Sequence, residues 1–365
     1  MVNGFVDRIA KTRQSSLSGF QAEIVGAVMS SPLYGPIVSQ ARNTMVKTAE
    51  SVGIDWTVKL TALLAATDWE KRVAEVVAEK PLLRPPPYYE NKFHGYSEGN
   101  LCINAAIEQE LAGKAVGARN YPEEGRGGEE ALRGAFDTQL IALGGLTLPQ
   151  HGTIVDMGCG TGTSSRRLAK LFPQAGRILG LDVSPFMVAV GRYLQTEVPA
   201  GLPWVEAFGA DHRVTLQYAE VAHTGLADRS VDMVSLSFVL HEMPAAAARD
   251  VLREAWRILK PGGQFFIAEM DPDTPGYRKL RANPWLYSIL RSTEPFLDAY
   301  FDEVAVRLPA LLEQQGFPLV RVAAATGRHF AILASKGGVV DARPSDEVRA
   351  ASDKHVSPLV KAISK

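Results

Sequence analysis

Cysteine is almost missing: Cys102 and Cys159 are the only two in 365 residues. That excludes a disulfide framework, and the pair lacks the spacing of a zinc site. No metal is expected, and a reducing compartment is the implied setting. No run approaches 18 consecutive apolar residues, so no integral membrane segment is expected. The opening stretch, MVNGFVDRIAKTRQSSLSGF, places Asp7, Arg8, Lys11 and Arg13 where a signal peptide needs an apolar run. Its basic, Ser-containing character is also compatible with a transit peptide. The expected location is therefore the cytoplasm, or an organellar stroma or matrix. Charge imbalance is missing too: Lys plus Arg number 39 against 40 for Asp plus Glu, a net charge of -1. This gives no global attraction to nucleic acid or an anionic membrane. Arg166, Arg167 and Arg253 are expected on solvated helix faces. Internal repeats and low-complexity tracts are absent as well.

What is present is a globular composition, 46% apolar and 22% charged, and a length that favours two domains or one enlarged domain. From Leu17 to Lys80 apolar residues recur at helical spacing, most clearly from Trp56 through Leu63 and Val73 to Val77. Pro81, Pro85, Pro86 and Pro87 then end the helix and impose an extended segment. Helical spacing resumes at Leu101 to Val116 and at Glu129 to Leu143, with the Gly- and Pro-rich loop NYPEEGRGG between them. Residues 1–148 are expected to form a helical domain.

After Pro149 short apolar runs alternate with helical stretches. The runs are Thr153 to Asp156, Ile178 to Asp182, Val214 to Tyr218, Val231 to Val239, Gln264 to Glu269, Leu319 to Ala324 and Phe330 to Ala334. Between them helices are expected at Thr163 to Phe172, Pro185 to Thr196, Ala245 to Leu259, and once or twice between Pro284 and Gln315. The alternation predicts an α/β fold over residues 149–336, a seven-stranded, mainly parallel sheet covered on both faces. Residues 337–365 read as a polar C-terminal extension.

The strongest motif is TIVDMGCGTGTSSRRL, in which an apolar strand runs into Gly158, Gly160 and Gly162 and then into a helix. Glycines there permit a tight turn and close approach of a ligand, and the helix N-terminus supplies free N–H donors. The dinucleotide fingerprint would need a further glycine where Thr163 stands, which disfavours a nicotinamide oxidoreductase. Asp156, two residues before the loop, favours a ligand with a positive group. The second run ends in Asp182, placed to accept both ribose hydroxyls or else to cap the next helix.

VDMGCGTGTSS, LGLDVSP, SVDMVSLSFVLHEMP and WRILKPGGQFFIAEMDP together resemble the successive motifs of class I S-adenosylmethionine-dependent methyltransferases, in particular the type 11 group that includes ubiquinone and menaquinone C-methyltransferases. The resemblance covers Thr153 to Lys336. It implies a Rossmann-like seven-stranded sheet with the last strand antiparallel, and S-adenosyl-L-methionine as cofactor over the strand carboxyl ends. It further implies that Gly158, Gly160 and Gly162 wrap the cofactor, that Asp156 lies near its amino acid part and that Asp182 holds the ribose. An adenine contact after the third strand falls on Glu220, where the usual Gly-Asp-Ala is replaced by Tyr218, Ala219 and Glu220. Asp232, opening the fourth strand, reads as structural. The non-enzymatic alternative is a methyltransferase-like binding or scaffold protein.

In this fold the loop after the fourth strand faces the methyl group, and here it reads FVLHEMP. The Asn/Asp-Pro-Pro-Tyr motif of amino-group methyltransferases is absent. His241 has the intrinsic proton affinity of a general base at neutral pH, ahead of Glu242. Two aromatic segments are candidates for an acceptor pocket: a lid at residues 85–100 (PPPYYENKFHGYSEGN), and the insert carrying Trp285, Tyr287, Phe296, Tyr300 and Phe301. The expected activity is methylation of a small hydrophobic or aromatic acceptor at oxygen or carbon, with no nucleic-acid partner; the sequence leaves the oligomeric state open.

Overall fold

The computed structural model describes residues 34–145, 147–196 and 211–337. Residues 17–33 of the predicted helical stretch and 338–365 of the expected extension lie outside this set. Seven strands form one sheet: β1 (Thr153–Met157), β2 (Arg177–Asp182), β3 (Val214–Tyr218), β4 (Val231–Ser237), β5 (Leu259–Met270), β6 (Leu319–Ala324) and β7 (His329–Ser335). Their spatial order is β3-β2-β1-β4-β5-β7-β6. β1 to β5 pair in parallel, and β7 runs antiparallel to both β5 and β6. Every predicted apolar run coincides with a strand. The order reverses between β1 and β4, which places a crevice at their carboxyl ends, where open α/β sheets bind ligands.

The apolar runs are continuous because the central strands are covered on both faces. Ile154, Val155 and Met157 of β1 are fully buried. On one face lie α8 (Ala245–Ile258) and α11 (Leu308–Gln315), packing Val251, Leu252, Leu308 and Leu312 with Phe317. On the other lie α6 (Thr163–Leu171), α7 (Pro185–Thr196) and α5 (Gly128–Ala142), contributing Leu168, Val188, Leu132, Phe136 and Leu140. The helix α5 is thus part of the sheet's cover although it precedes β1. Between β5 and α11 run α9 (Pro275–Arg281), which sequence periodicity did not indicate, α10 (Pro284–Thr293), and short turns that include a π-helical one at Tyr300–Val304.

Among the described residues the predicted N-terminal helical stretch forms α1 (Tyr34–Ser51), α2 (Trp56–Leu64) and α3 (Trp69–Glu79). The breaks have local causes. Gly53 takes a positive φ of 77°, and the carboxylates of Asp55 and Asp68 accept from Val58 N and Lys71 N, capping α2 and α3. The predicted loop NYPEEGRGG contains a 3₁₀ turn, Pro122–Gly127.

At the centre of this region is α4 (Ile103–Asn120). Its Leu111 and Ala115 pack with Trp56 and Ile54, and its Ile107 packs with Leu63, Val190 and Tyr193. α4 also crosses α5 so closely that a Cβ on Gly117 would lie 2.2 Å from Glu129 N. These contacts fasten the helices directly onto the crevice side of the sheet. Among the described residues no helix is long and apolar enough to cross a membrane.

Candidate functional site

The glycine loop leaves β1 and is held against the tip of β2. Gly158 N and Cys159 N donate to Leu181 O, at 2.8 and 3.0 Å. Gly158, Gly160 and Gly162 all have positive φ, 69°, 54° and 88°, a region costly for other residues. Their missing side chains also admit protein atoms. A Cβ on Gly158 would come within 2.5 Å of Val239, and one on Gly160 within 2.3 Å of the Gln109 amide. Gln109, on α4, accepts from Thr161 N at 2.7 Å. Its neighbour Glu110 accepts from the hydroxyls of Thr161 and Thr163, each at 2.7 Å, and from Arg166. Burial opposes the charge of Glu110, but Arg166 and the two hydroxyls hold it down at about 2. Arg166 is accordingly buried and ion-paired, which corrects its assignment to a solvated helix face. Arg167 pairs with Asp137 and Glu130.

Asp156 and Asp182 are both buried at the crevice. Asp182 Oδ2 accepts from Gly160 N and Oδ1 from Ser184 N, both at 2.8 Å. Each carboxylate oxygen keeps a second lone pair for a ligand hydroxyl. Burial pushes its proton affinity up to about 6 against these amides. Asp156 Oδ2 accepts from Ser164 and Ser165, at 2.6 and 2.7 Å, whereas its buried Oδ1 has no hydrogen-bond partner. A buried acceptor of this kind is expensive unless something donates to it. Glu220 follows β3, one residue after Ala219, whose N–H donates to Asp182 O; its carboxylate lies 3.5 Å from His223. Asp232 accepts from Thr153 N and Lys260 and so ties β4 to β1 and β5.

The turn after β4 is strained. Phe238 takes a φ of +59°, which a bulky residue adopts only when its surroundings compel it. Its ring is wedged edge-on between Phe136 and His329, with centroids 5.4 and 5.3 Å away. The chain then reverses into a 3₁₀ turn, Leu240–Glu242, that carries His241 and Glu242 to the crevice. Beneath it is Glu269 of β5, fully buried, which accepts from Leu240 N at 2.7 Å and meets His241 Nδ1 at 3.0 Å. Glu294, just beyond α10, lies 3.9 Å from His241 Nε2. Burial disfavours an imidazolium, yet Glu269, with Glu294 and Glu242, pushes His241 up to about 10. His241 is therefore a charged, paired side chain at neutral pH.

The 85–100 segment packs against this end of the crevice. Ser184 Oγ donates to Asn100 O at 2.7 Å, and Asn100 Nδ2 donates to Glu242 Oε2 at 3.0 Å. His94 N donates to Thr293 O at 2.9 Å while its ring meets Glu294 at 3.1 Å. Tyr88, Tyr89, Asn91, Phe93, Asn100, Glu242 and Phe296 enclose about 210 Å³ of space, its solvent side included. Of the aromatic residues expected around an acceptor, Tyr88, Tyr89, Phe93 and Phe296 are there. Tyr96 instead turns its hydroxyl to Glu108, and Tyr287, Tyr300 and Phe301 are buried in the core beside the sheet. The Trp285 side chain lies outside the described set.

Glu269, Glu294, His94, Asn100, Gln109 and Glu110 were not singled out in the sequence. Only Glu269 had a local signal, an acid inside the apolar run FFIAEM.

Residues 155–267 match the family model described as Methyltransferase domain. The chain is 29% identical over 192 residues to demethylmenaquinone methyltransferase of Listeria monocytogenes serotype 4a, covering 49% of this chain and 75% of that one. It is 33% identical over 144 residues to dimethylglycine N-methyltransferase of Parasynechococcus marenigrum, covering 39% and 46%. Among solved structures, an S-adenosylmethionine-dependent methyltransferase from Aquifex aeolicus aligns with 57% of this chain and 97% of its own, at 21% identity and a TM-score of 0.38. The protein is a methyltransferase of the α/β, Rossmann-like kind. More particularly, it is a class I S-adenosylmethionine-dependent methyltransferase, with S-adenosyl-L-methionine as its cofactor.

Proposed function

We propose that the protein methylates a small hydrophobic or aromatic acceptor at oxygen or carbon, beneath the 85–100 segment. The observation that carries this reading is the pocket between Tyr88, Tyr89, Phe93 and Phe296, with Glu242 and Asn100 as its polar groups. Small-molecule sites have this composition, apolar walls with few polar points. The name of the Listeria relative, which specifies a quinone acceptor, supports it.

The donor set suits the cofactor. Asp182 has acceptor capacity left for ribose hydroxyls, the unpartnered Asp156 Oδ1 suits an ammonium donor, and Glu220 stands after β3 for the adenine edge. Gly158, Gly160 and Gly162 shape the loop between them. The cofactor supplies an electrophilic methyl group on a sulfonium centre. The protein's own work is alignment and exclusion of water. The helical region before residue 149 contributes through Gln109 and Glu110, which fix the loop, and through the 85–100 segment, which covers it. His241, paired with Glu269, fixes the 3₁₀ turn and places a positive charge next to the acceptor site.

The test is a mass-spectrometric screen with S-adenosylmethionine and matched naphthols, naphthohydroquinones and naphthylamines. Methyl gain on oxygen or carbon is expected. Transfer confined to the amines, or to none of these compounds, overturns the reading.

A further inference from the structure

The turn after β4 presents two adjacent ionisable side chains, and the structure gives them different surroundings. His241 points down into the protein. Its Nδ1 is 3.0 Å from Glu269, its Nε2 faces Glu294 at 3.9 Å, and its ring lies edge-on to Tyr300 at 6.0 Å. With Glu269 bonded to Nδ1 and the Glu294 carboxyl group near Nε2, the ring is held in its protonated form and has no lone pair with which to take another proton. Glu242 points up into the pocket and is the one carboxylate in its lining. Among the described residues its hydrogen bond comes from Asn100 Nδ2, with no cation in contact.

We propose that Glu242, rather than His241, receives the acceptor's proton, and that the acceptor is an aromatic or enolic hydroxyl compound held between Glu242 and the rings of the 85–100 segment. This rests on the reading of that pocket as the acceptor site. In the step, the O–H bond breaks with its electron pair left on the acceptor oxygen. The proton adds to a Glu242 oxygen and converts the carboxylate to a neutral carboxyl group. It leaves to solvent when the segment opens.

The groups facing Glu242 suit that task. His94 of the covering segment and His241 of its own turn favour the anion, while Glu294 beyond α10 and Asp182 of β2 oppose it, and burial outweighs them all. The balance pushes Glu242 up to about 7. That narrows its gap to a phenol, at about 10, compared with an ordinary glutamate at about 4.3. The chemistry also explains Asn100, whose side chain holds Glu242 Oε2 from above while its carbonyl is anchored by Ser184. Proton acceptor and cover are thus fixed by one residue. Apart from its solvent side, the space between these side chains holds no more than a water molecule, so the segment must lift to admit an acceptor.

The experiment uses the full chain saturated with S-adenosylhomocysteine, and two fluorescent probes, 2-naphthol and 2-methoxynaphthalene. Wild type, Glu242→Gln and Tyr88→Ala are titrated between pH 6 and 9. Retained S-adenosylhomocysteine affinity confirms that each variant is folded. The expected result is a loss of about 10- to 100-fold in 2-naphthol affinity in Glu242→Gln, as for a hydrogen bond to a charged group, with 2-methoxynaphthalene unchanged. Naphtholate emission should appear in the wild-type complex and disappear in the variant. In parallel, nitrogen-correlated NMR of wild type should show His241 with both nitrogens protonated at pH 8. Equal naphthol affinity in wild type and Glu242→Gln, or a His241 that is neutral at pH 7, overturns the proposal. Failure of both probes to bind wild type, or indifference of both to Tyr88→Ala, overturns the pocket reading itself, and the proposal with it.

Discussion

Replacing Glu269 by Ala tests the electrostatic core of the site without reference to any acceptor. Glu269 is 0% exposed and accepts from His241 Nδ1 at 3.0 Å, Leu240 N at 2.7 Å and Met270 N at 3.1 Å. Its removal strands a buried imidazolium and leaves the Leu240 amide without its acceptor. Breaking a buried pair costs roughly 3–5 kcal/mol, and an orphaned N–H a further 1–3 kcal/mol. The full sum is not reached, because His241 escapes part of the cost by releasing its proton. About 4 kcal/mol is the expected loss at pH 7, visible in urea unfolding as a midpoint shift at constant slope. The pH dependence is more diagnostic. The folded-state proton affinity of His241, about 10, exceeds the unfolded value of about 6.5. Its contribution is therefore complete below pH 6.5 and is lost as pH rises toward 10, at about 1.4 kcal/mol per pH unit. Between pH 7 and 9 this amounts to about 2.7 kcal/mol, a slope expected in the wild-type protein and flattened in Glu269→Ala. Glu269→Gln, which keeps an acceptor for Leu240 N, should recover part of the stability but not the slope. Parallel pH profiles for wild type and Glu269→Ala, or a loss below about 1 kcal/mol, would refute the pairing.

Two further outcomes are expected at the cofactor end. Asp182→Ala should weaken S-adenosylmethionine binding by roughly 1.5–3 kcal/mol in calorimetric titration, and unchanged affinity would remove Asp182 from the cofactor site. Hydrogen exchange should slow across 85–100 when S-adenosylhomocysteine and 2-naphthol are both present while α2 and α3 serve as unaffected controls; equal exchange with and without ligands would make the segment a plain connector.

The sheet was legible because each of its strands advertises itself. Ile178 to Leu181 is apolar without alternation, as a strand covered on both faces must be, and it lies where β2 is found. Helix starts after Gly162 and Ser184 were legible from local turn chemistry; the caps at Asp55 and Asp68 carry the same kind of signal and went unused. The glycine spacing was also legible, although part of its physical reason is internal. Gly160 makes room for Gln109 and Gly158 for Val239, contacts that no local pattern encodes. What stayed hidden is pairing across distance. Arg166 looked solvated because its partner, Glu110, lies 56 positions upstream, and His94 meets Glu294 200 positions away.

The same blindness bears on the chemistry. Judged by intrinsic proton affinity, His241 is the base and Glu242 its bystander. The surroundings reverse the order, since acids on both sides of an imidazole raise it and burial of an unpaired carboxylate raises that too. Residue type sets a reference value; the partners brought by β5, α10 and the 85–100 segment decide which side chain is left free to accept a proton. On the proposed reading, a site assembled in this way ties proton transfer to closure. Asn100 and His94 belong to the cover, and lifting it removes the amide that holds Glu242 and the ring that faces Glu294. Opening also lets water reach Glu242, and because burial is the largest influence on it, this outweighs the loss of His94 and should return Glu242 toward an ordinary, ionised glutamate that releases the proton it took.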